Sequence, residues 1–200
     1  CPVGDGFIKR SLNGLAEPCD GKGPVKAQKY LPFFAEAPGI MDRVPLTRPL
    51  HTGVKVLDAI IPVAKGQREL ILGDRVTGKT TLATDTVLNQ KGKNVICIYC
   101  SIGRSYNFLL KLSQLFYEHS ALDYSIIVGA TGDSPVGEQF LAPYTAATLG
   151  EYFMREGKDV FVVFDDLSKH AWIYRQISLL MGRSPGREAY PGDIFYIHSQ

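Results

Sequence analysis

The stretch ELILGDRVTGKT, Glu69 to Thr80, limits what this chain can fold into more than any other. Gly73-x4-Gly78-Lys79-Thr80 satisfies the P-loop pattern. The apolar residues before it, Glu69–Leu72, read as a strand, and a helix is expected to follow through about Asn89. The glycines let the backbone curl tightly, so that successive N–H groups point inward as an anion nest. The helix N-terminus adds partial positive charge. Lys79 is placed to reach the β- and γ-phosphates, and the Thr80 hydroxyl to ligate Mg²⁺. This loop reads as a phosphate holder.

Downstream, the pattern is regular. Strands are expected at Asn94–Ser101, Ser125–Val128 and Asp159–Phe164, and helices at Tyr106–His119, Gly137–Glu156 and Leu167–Leu180. Strands that alternate with helices and are apolar on both faces predict an α/β fold, a mostly parallel sheet covered on each side. Upstream, Thr52–Ile61 carries Val54, Leu57, Ile60 and Ile61 at helical spacing, with Thr52 as a candidate cap. Residues 1–50 hold the turn-rich pieces EPCDGKGP, AEAPGIMDR and LTRPL, and predict an irregular or β-rich segment. The expected division is therefore 1–50 and a P-loop domain over 51–200.

A P-loop site also needs a carboxylate that holds Mg²⁺ through its water shell, at the end of a neighbouring strand. DVFVVFDD offers Asp165 at the carboxyl edge of its strand, where ligands of open α/β sheets bind, and Asp166 as a cap for the next helix. Hydrolysis needs more: a residue that orients water near the terminal phosphate. The natural place, the end of the strand after the P-loop helix, reads CSIGRSYN and supplies Arg104, a permanent cation that accepts no proton. Glu118 and Asp123 come only after a further helix. The residues grip a nucleotide without an evident means of splitting it.

Bulk properties narrow the classes. A net charge of +2 over 200 residues, with no dense basic run, argues against nucleic acid. No apolar stretch approaches the length of a membrane span, and no signal peptide is present. Cys97 and Cys100 form a CxxC, but within the apolar run VICIYCSIG and without a second ligand pair, so they read as buried strand thiols. The chain opens on Cys1 and closes on HSQ, which suggests a piece of something longer.

The blocks PVGDGF, DGKGP, EAPGI, TGVKVLDAIIPVAKGQRELILGDR, TGKT, DTVLNQK, GEYF, DDLSKHAWIYRQISLL and PGREAYPGD together resemble the α subunit of F-type ATP synthases over nearly the whole chain. The resemblance implies a RecA-like P-loop domain, with residues 1–50 as the tail of an N-terminal β-barrel and its linker. It implies a ring of three α and three β subunits around a central γ shaft, on the inner face of an energy-coupling membrane. In that family β makes ATP from ADP and phosphate with a proton gradient, while α binds Mg-ATP without turning it over. Carried over, Gly73, Asp74, Arg75, Val76, Thr77, Gly78, Lys79 and Thr80 would bind ATP or ADP, with Thr80 and Asp165 at Mg²⁺ and no catalytic residue in this chain.

Two positions depart from the family pattern: Val76 and Arg104 each stand where α subunits carry Gln. The segments that carry the adenine pocket and the arginine that α inserts into β would lie beyond residue 200. GRSPGREAYPGD, with Arg183, Arg187 and Glu188, reads as a subunit-facing loop; Trp172 and Tyr174 read as packing residues, and His170 and His198 as surface or interface residues. Two other readings use the same loop: a self-sufficient P-loop ATPase of the secretion type, and a Rho-like ring helicase.

Overall fold

Ten consecutive residues, Val95–Arg104, form the central strand of the sheet, and the first eight are buried. An apolar run without alternation is what a strand covered on both faces requires. Here Ile96, Ile98, Cys100 and Ile102 enter one core, and Val95, Cys97 and Tyr99 the other. The computed structural model describes residues 1–39, 41 and 43–199; Ile40 of the EAPGI block, Asp42 and Gln200 lie outside the described residues.

In chain order the strands are β1 (Pro2–Val3), β2 (Ser11–Leu12), β3 (Lys29–Tyr30), β4 (Pro49–Leu50), β5 (Val63–Ala64), β6 (Val95–Arg104), β7 (Ser125–Thr131) and β8 (Asp159–Asp165). The helices are α1 (Lys55–Ile60), α2 (Lys79–Leu88), α3 (Tyr106–Glu118), α4 (Val136–Arg155), α5 (Leu167–Leu180) and α6 (Ile194–Ser199). The main sheet has the order β2-β7-β6-β8, all parallel, with Ile98 opposite Ile126 on one side and Val162 on the other. Helices α2 and α3 supply Val87, Leu112 and Phe116 to one face. Helices α4 and α5 cover the other with Ala146, Leu149, Phe153 and Ile173. Helix α4 approaches closely because Gly150 faces the sheet: a Cβ there would stand 3.2 Å from Val162 Cγ2. The parallel α/β sheet flanked by helices is thus as expected from sequence.

Two local expectations need correction. Glu69–Leu72 forms no strand; Leu70, Ile71 and Leu72 are exposed. A strand needs a partner, and between this segment and β8 lies a groove of ≈ 660 Å³ lined by Glu69, Leu70, Val160, Val162 and Phe164. Thr52 does not cap the following helix. Its N–H and hydroxyl both donate to Asp58 Oδ1, at 2.8 and 2.7 Å, while Val54 holds the cap position of α1. Residues of the first 50 also pack on the sheet: Val3, Phe7 and Leu12 belong to the α4-side core, and β2 lies against β7. Leu12 is fully buried because its two-residue strand pairs Ser11 with Ile127 and Leu12 with Val128.

At the start of β8, Asp159 is clasped by Arg48 and Lys65, each at 2.6 Å. Cys97 and Cys100 are free, buried thiols, as their apolar strand predicts. Burial pushes the Cys97 thiol up to about 12.

Candidate phosphate-binding site

The glycine loop turns at two left-handed residues, Val76 (φ 64°) and Gly78 (φ 93°), before entering α2. Gly78 is the N-cap and offers no side chain to the first turn, which leaves the helix N–H groups to an anion. Gly73 is needed for a different reason: a Cβ there would stand 2.8 Å from Thr77 Oγ1. That hydroxyl donates to the Asp74 carbonyl at 2.8 Å and so braces the turn. Lys79 Nζ donates to the carbonyls of Gly73, at 2.6 Å, and Asp74. Its ammonium is held at the mouth of the loop by neutral carbonyl acceptors, and a charged acceptor in their place would bond roughly twice as strongly. Val76 is fully exposed at the tip, and Asp74 and Arg75 are exposed beside it.

Beyond the loop, β6 and β8 end side by side, Ser101 opposite Asp165, and deliver a polar cluster. Thr80 Oγ1 lies 3.0 Å from Asp165 Oδ2, so the two oxygens named for Mg²⁺ do meet. Tyr99, wholly buried, donates its hydroxyl to the same Oδ2 at 2.8 Å. Burial above all, and then the charge of Asp165, pushes the phenol pKa upward and keeps it a donor. Arg104 completes the cluster: Nη2 is 2.6 Å from Asp165 Oδ1 and 3.2 Å from Thr80 Oγ1. Its guanidinium carbon lies 5.0 Å from the centre of the Phe108 ring. Burial opposes its charge, but the hydrogen bond and charge of Asp165 outweigh that, and its pKa is raised.

Residues 53–200 match the model of the family described as ATP synthase alpha/beta family, nucleotide-binding domain. The chain belongs to this family. Over 199 residues it is 55% identical to "ATP synthase subunit alpha 2" of Nitrosospira multiformis, 54% to "ATP synthase subunit alpha" of Clostridium acetobutylicum and 52% to "ATP synthase subunit alpha 1" of Shewanella frigidimarina. Each likeness covers all of this chain, which spans only about two fifths of those relatives' length: 39%, 39% and 38%.

Within this ATP synthase family site, the donors Thr80 and Asp165 are of the kind Mg²⁺ takes, hard oxygens at a strand end. As arranged they do not accept it, because Arg104 already holds the same atoms. Asp166, beside them, caps α5 by accepting from Lys169 N at 2.7 Å, as its position predicts. Asp123 is paired with Lys9 at 2.8 Å, and Glu118 accepts from Gln114 on α3.

Sequence reasoning missed Tyr99, whose place in an apolar strand gives it the look of a core residue. It also misjudged His170, which is 2% exposed rather than superficial. That ring stacks on Phe140 and bonds the Phe140 carbonyl at 3.1 Å and His198 at 3.2 Å. Tyr174 is buried and donates to Asp193 at 2.6 Å, whereas Trp172 stays half exposed on α5.

Proposed function

We propose that this chain is the nucleotide-binding part of a non-catalytic α-type subunit of a proton-translocating F-type ATP synthase. Gly73 to Thr80 would cradle the phosphates of ATP or ADP, with Lys79 and the α2 N-terminus supplying positive charge. One observation carries the non-catalytic reading: Arg104 stands at the strand end where a water-orienting carboxylate is needed, and it neutralises Asp165 across 2.6 Å. The likeness to proteins named ATP synthase subunit alpha supports the same reading.

In such a complex, catalytic β subunits and the central γ stalk would be its neighbours in a ring of three α and three β. The exposed Arg187 and Glu188 would face them. The assembly would sit on the inner face of an energy-coupling membrane and make ATP at the β sites. No described helix is long and apolar enough to cross a membrane.

The test is a nucleotide titration of wild type and Lys79→Ala beside a phosphate-release assay. Saturable binding lost on substitution, with no turnover, supports the proposal. Turnover by the chain alone that disappears in Asp165→Ala would instead favour a self-sufficient P-loop ATPase, and salt-sensitive RNA binding a ring helicase.

A further inference from the structure

At the end of β8 one oxygen of Asp165 and the Thr80 hydroxyl are turned toward the same cation. Asp165 Oδ1 lies 2.6 Å from Arg104 Nη2; Oδ2 takes the Thr80 and Tyr99 hydroxyls; Thr80 Oγ1 is itself 3.2 Å from Nη2. The guanidinium is held from two further sides, by Asp166 Oδ2 at 3.9 Å and by the Phe108 ring. Mg²⁺ needs a near-octahedral shell of oxygens at about 2.0–2.1 Å. Thr80 would enter that shell directly and Asp165 through water; the guanidinium already bonds both, and two positive groups within a few ångströms repel each other in a partly buried site. The two cations compete for the same oxygens.

Arginine is suited to the place. It is charged at every accessible pH, and its planar fork matches phosphate oxygens. Nη2 of Arg104 makes the hydrogen bonds found for this side chain among the described residues, and Nε is enclosed without a partner. Thr80 follows Lys79 directly in α2, so the guanidinium lies one side chain away from the start of the phosphate cradle.

We infer that Arg104 is the resident cation of this nucleotide site: anchored on Asp165 and Thr80, it stands where a divalent metal would, and a nucleoside triphosphate binds here without needing Mg²⁺. This rests on the nucleotide-site reading above and adds the counter-ion to it. Arg104 is a binding residue in this scheme, with no part in bond breaking.

The experiment titrates the 200-residue chain with a fluorescent ATP analogue, once in Mg²⁺ and once in EDTA, for wild type and Arg104→Gln. Wild-type affinity should change by less than about threefold on chelation, while Arg104→Gln should bind at least about tenfold more weakly in EDTA than in Mg²⁺. A wild-type affinity that falls tenfold on chelation overturns the inference and leaves the nucleotide site standing, and this arm needs no variant to fold. Equal metal dependence in the two proteins overturns it as well. Absence of wild-type binding in both buffers sinks the nucleotide site itself, and the inference with it.

Discussion

Tyr99 meets Asp165 from below the sheet end, hydroxyl to Oδ2 at 2.8 Å, while Arg104 holds the other oxygen of the same carboxylate. The strand that reads as plain core therefore also supports the site from within. A hydrogen bond to a charged acceptor contributes about 1.5–3 kcal/mol, so Tyr99→Phe should lower unfolding free energy by an amount in that range. Asp165→Ala should cost more, because it leaves Tyr99 and Arg104 without their acceptor. Urea unfolding of the two variants checks the order, and a Tyr99→Phe protein as stable as wild type would deny the bond its role.

Gly73→Ala separates loop geometry from stability. The added Cβ would crowd Thr77 Oγ1 and loosen its bond to the Asp74 carbonyl, in a segment that is exposed. Nucleotide affinity is expected to drop by about tenfold or more, roughly 1.4 kcal/mol, with the thermal midpoint almost unmoved. Titration calorimetry and a melting curve on one preparation read both.

His170 makes stability depend on pH. Burial holds its pKa at about 4, against 6.5 for the free side chain, so the folded ring stays neutral where the unfolded one takes up a proton. With a lowered folded pKa, the stabilisation is complete above pH 6.5 and is lost as pH falls toward 4. The full loss amounts to about 3 kcal/mol. Urea midpoints at pH 7.5, 6 and 5 should fall in that order, and His170→Leu should flatten the slope.

Asp20 sets a second, more acidic limit. The hydrogen bond from Arg10, at 2.6 Å between mostly buried side chains, lowers its carboxyl from 3.8 to about 2. Its contribution is present above pH 3.8 and disappears as pH falls through 2, for a total of about 2 kcal/mol. Asp20→Asn should remove it, seen as a weaker pH dependence of unfolding between pH 4 and 2.

Long elements were legible because their burial is periodic or continuous. The apolar runs of β6, β7 and β8 and the spacing on α3, α4 and α5 announce themselves, and the glycine spacing marks the loop. Two-residue strands such as β2 carry no period, and only the matching of Ser11 and Leu12 to β7 reveals them. Glu69–Leu72 had the composition of a strand, but composition cannot provide a neighbour. The places of Asp165 at the end of β8 and of Lys79 at the start of α2 were readable from motif and position. Tyr99 and the burial of His170 were not, since each is defined by residues far along the chain.

The two margins of the parallel sheet are unlike. On one side the N-terminal strand β2 and the residues around it are laid along β7, while on the other β8 presents seven residues with no strand beyond them among the described residues. Self-association by strand addition therefore has its longest open edge at β8. The Arg48–Asp159–Lys65 knot puts charge at the mouth of that margin, and charge on an open edge discourages pairing, so mutations that neutralise the knot should shorten the time to aggregation before they alter anything at the nucleotide loop.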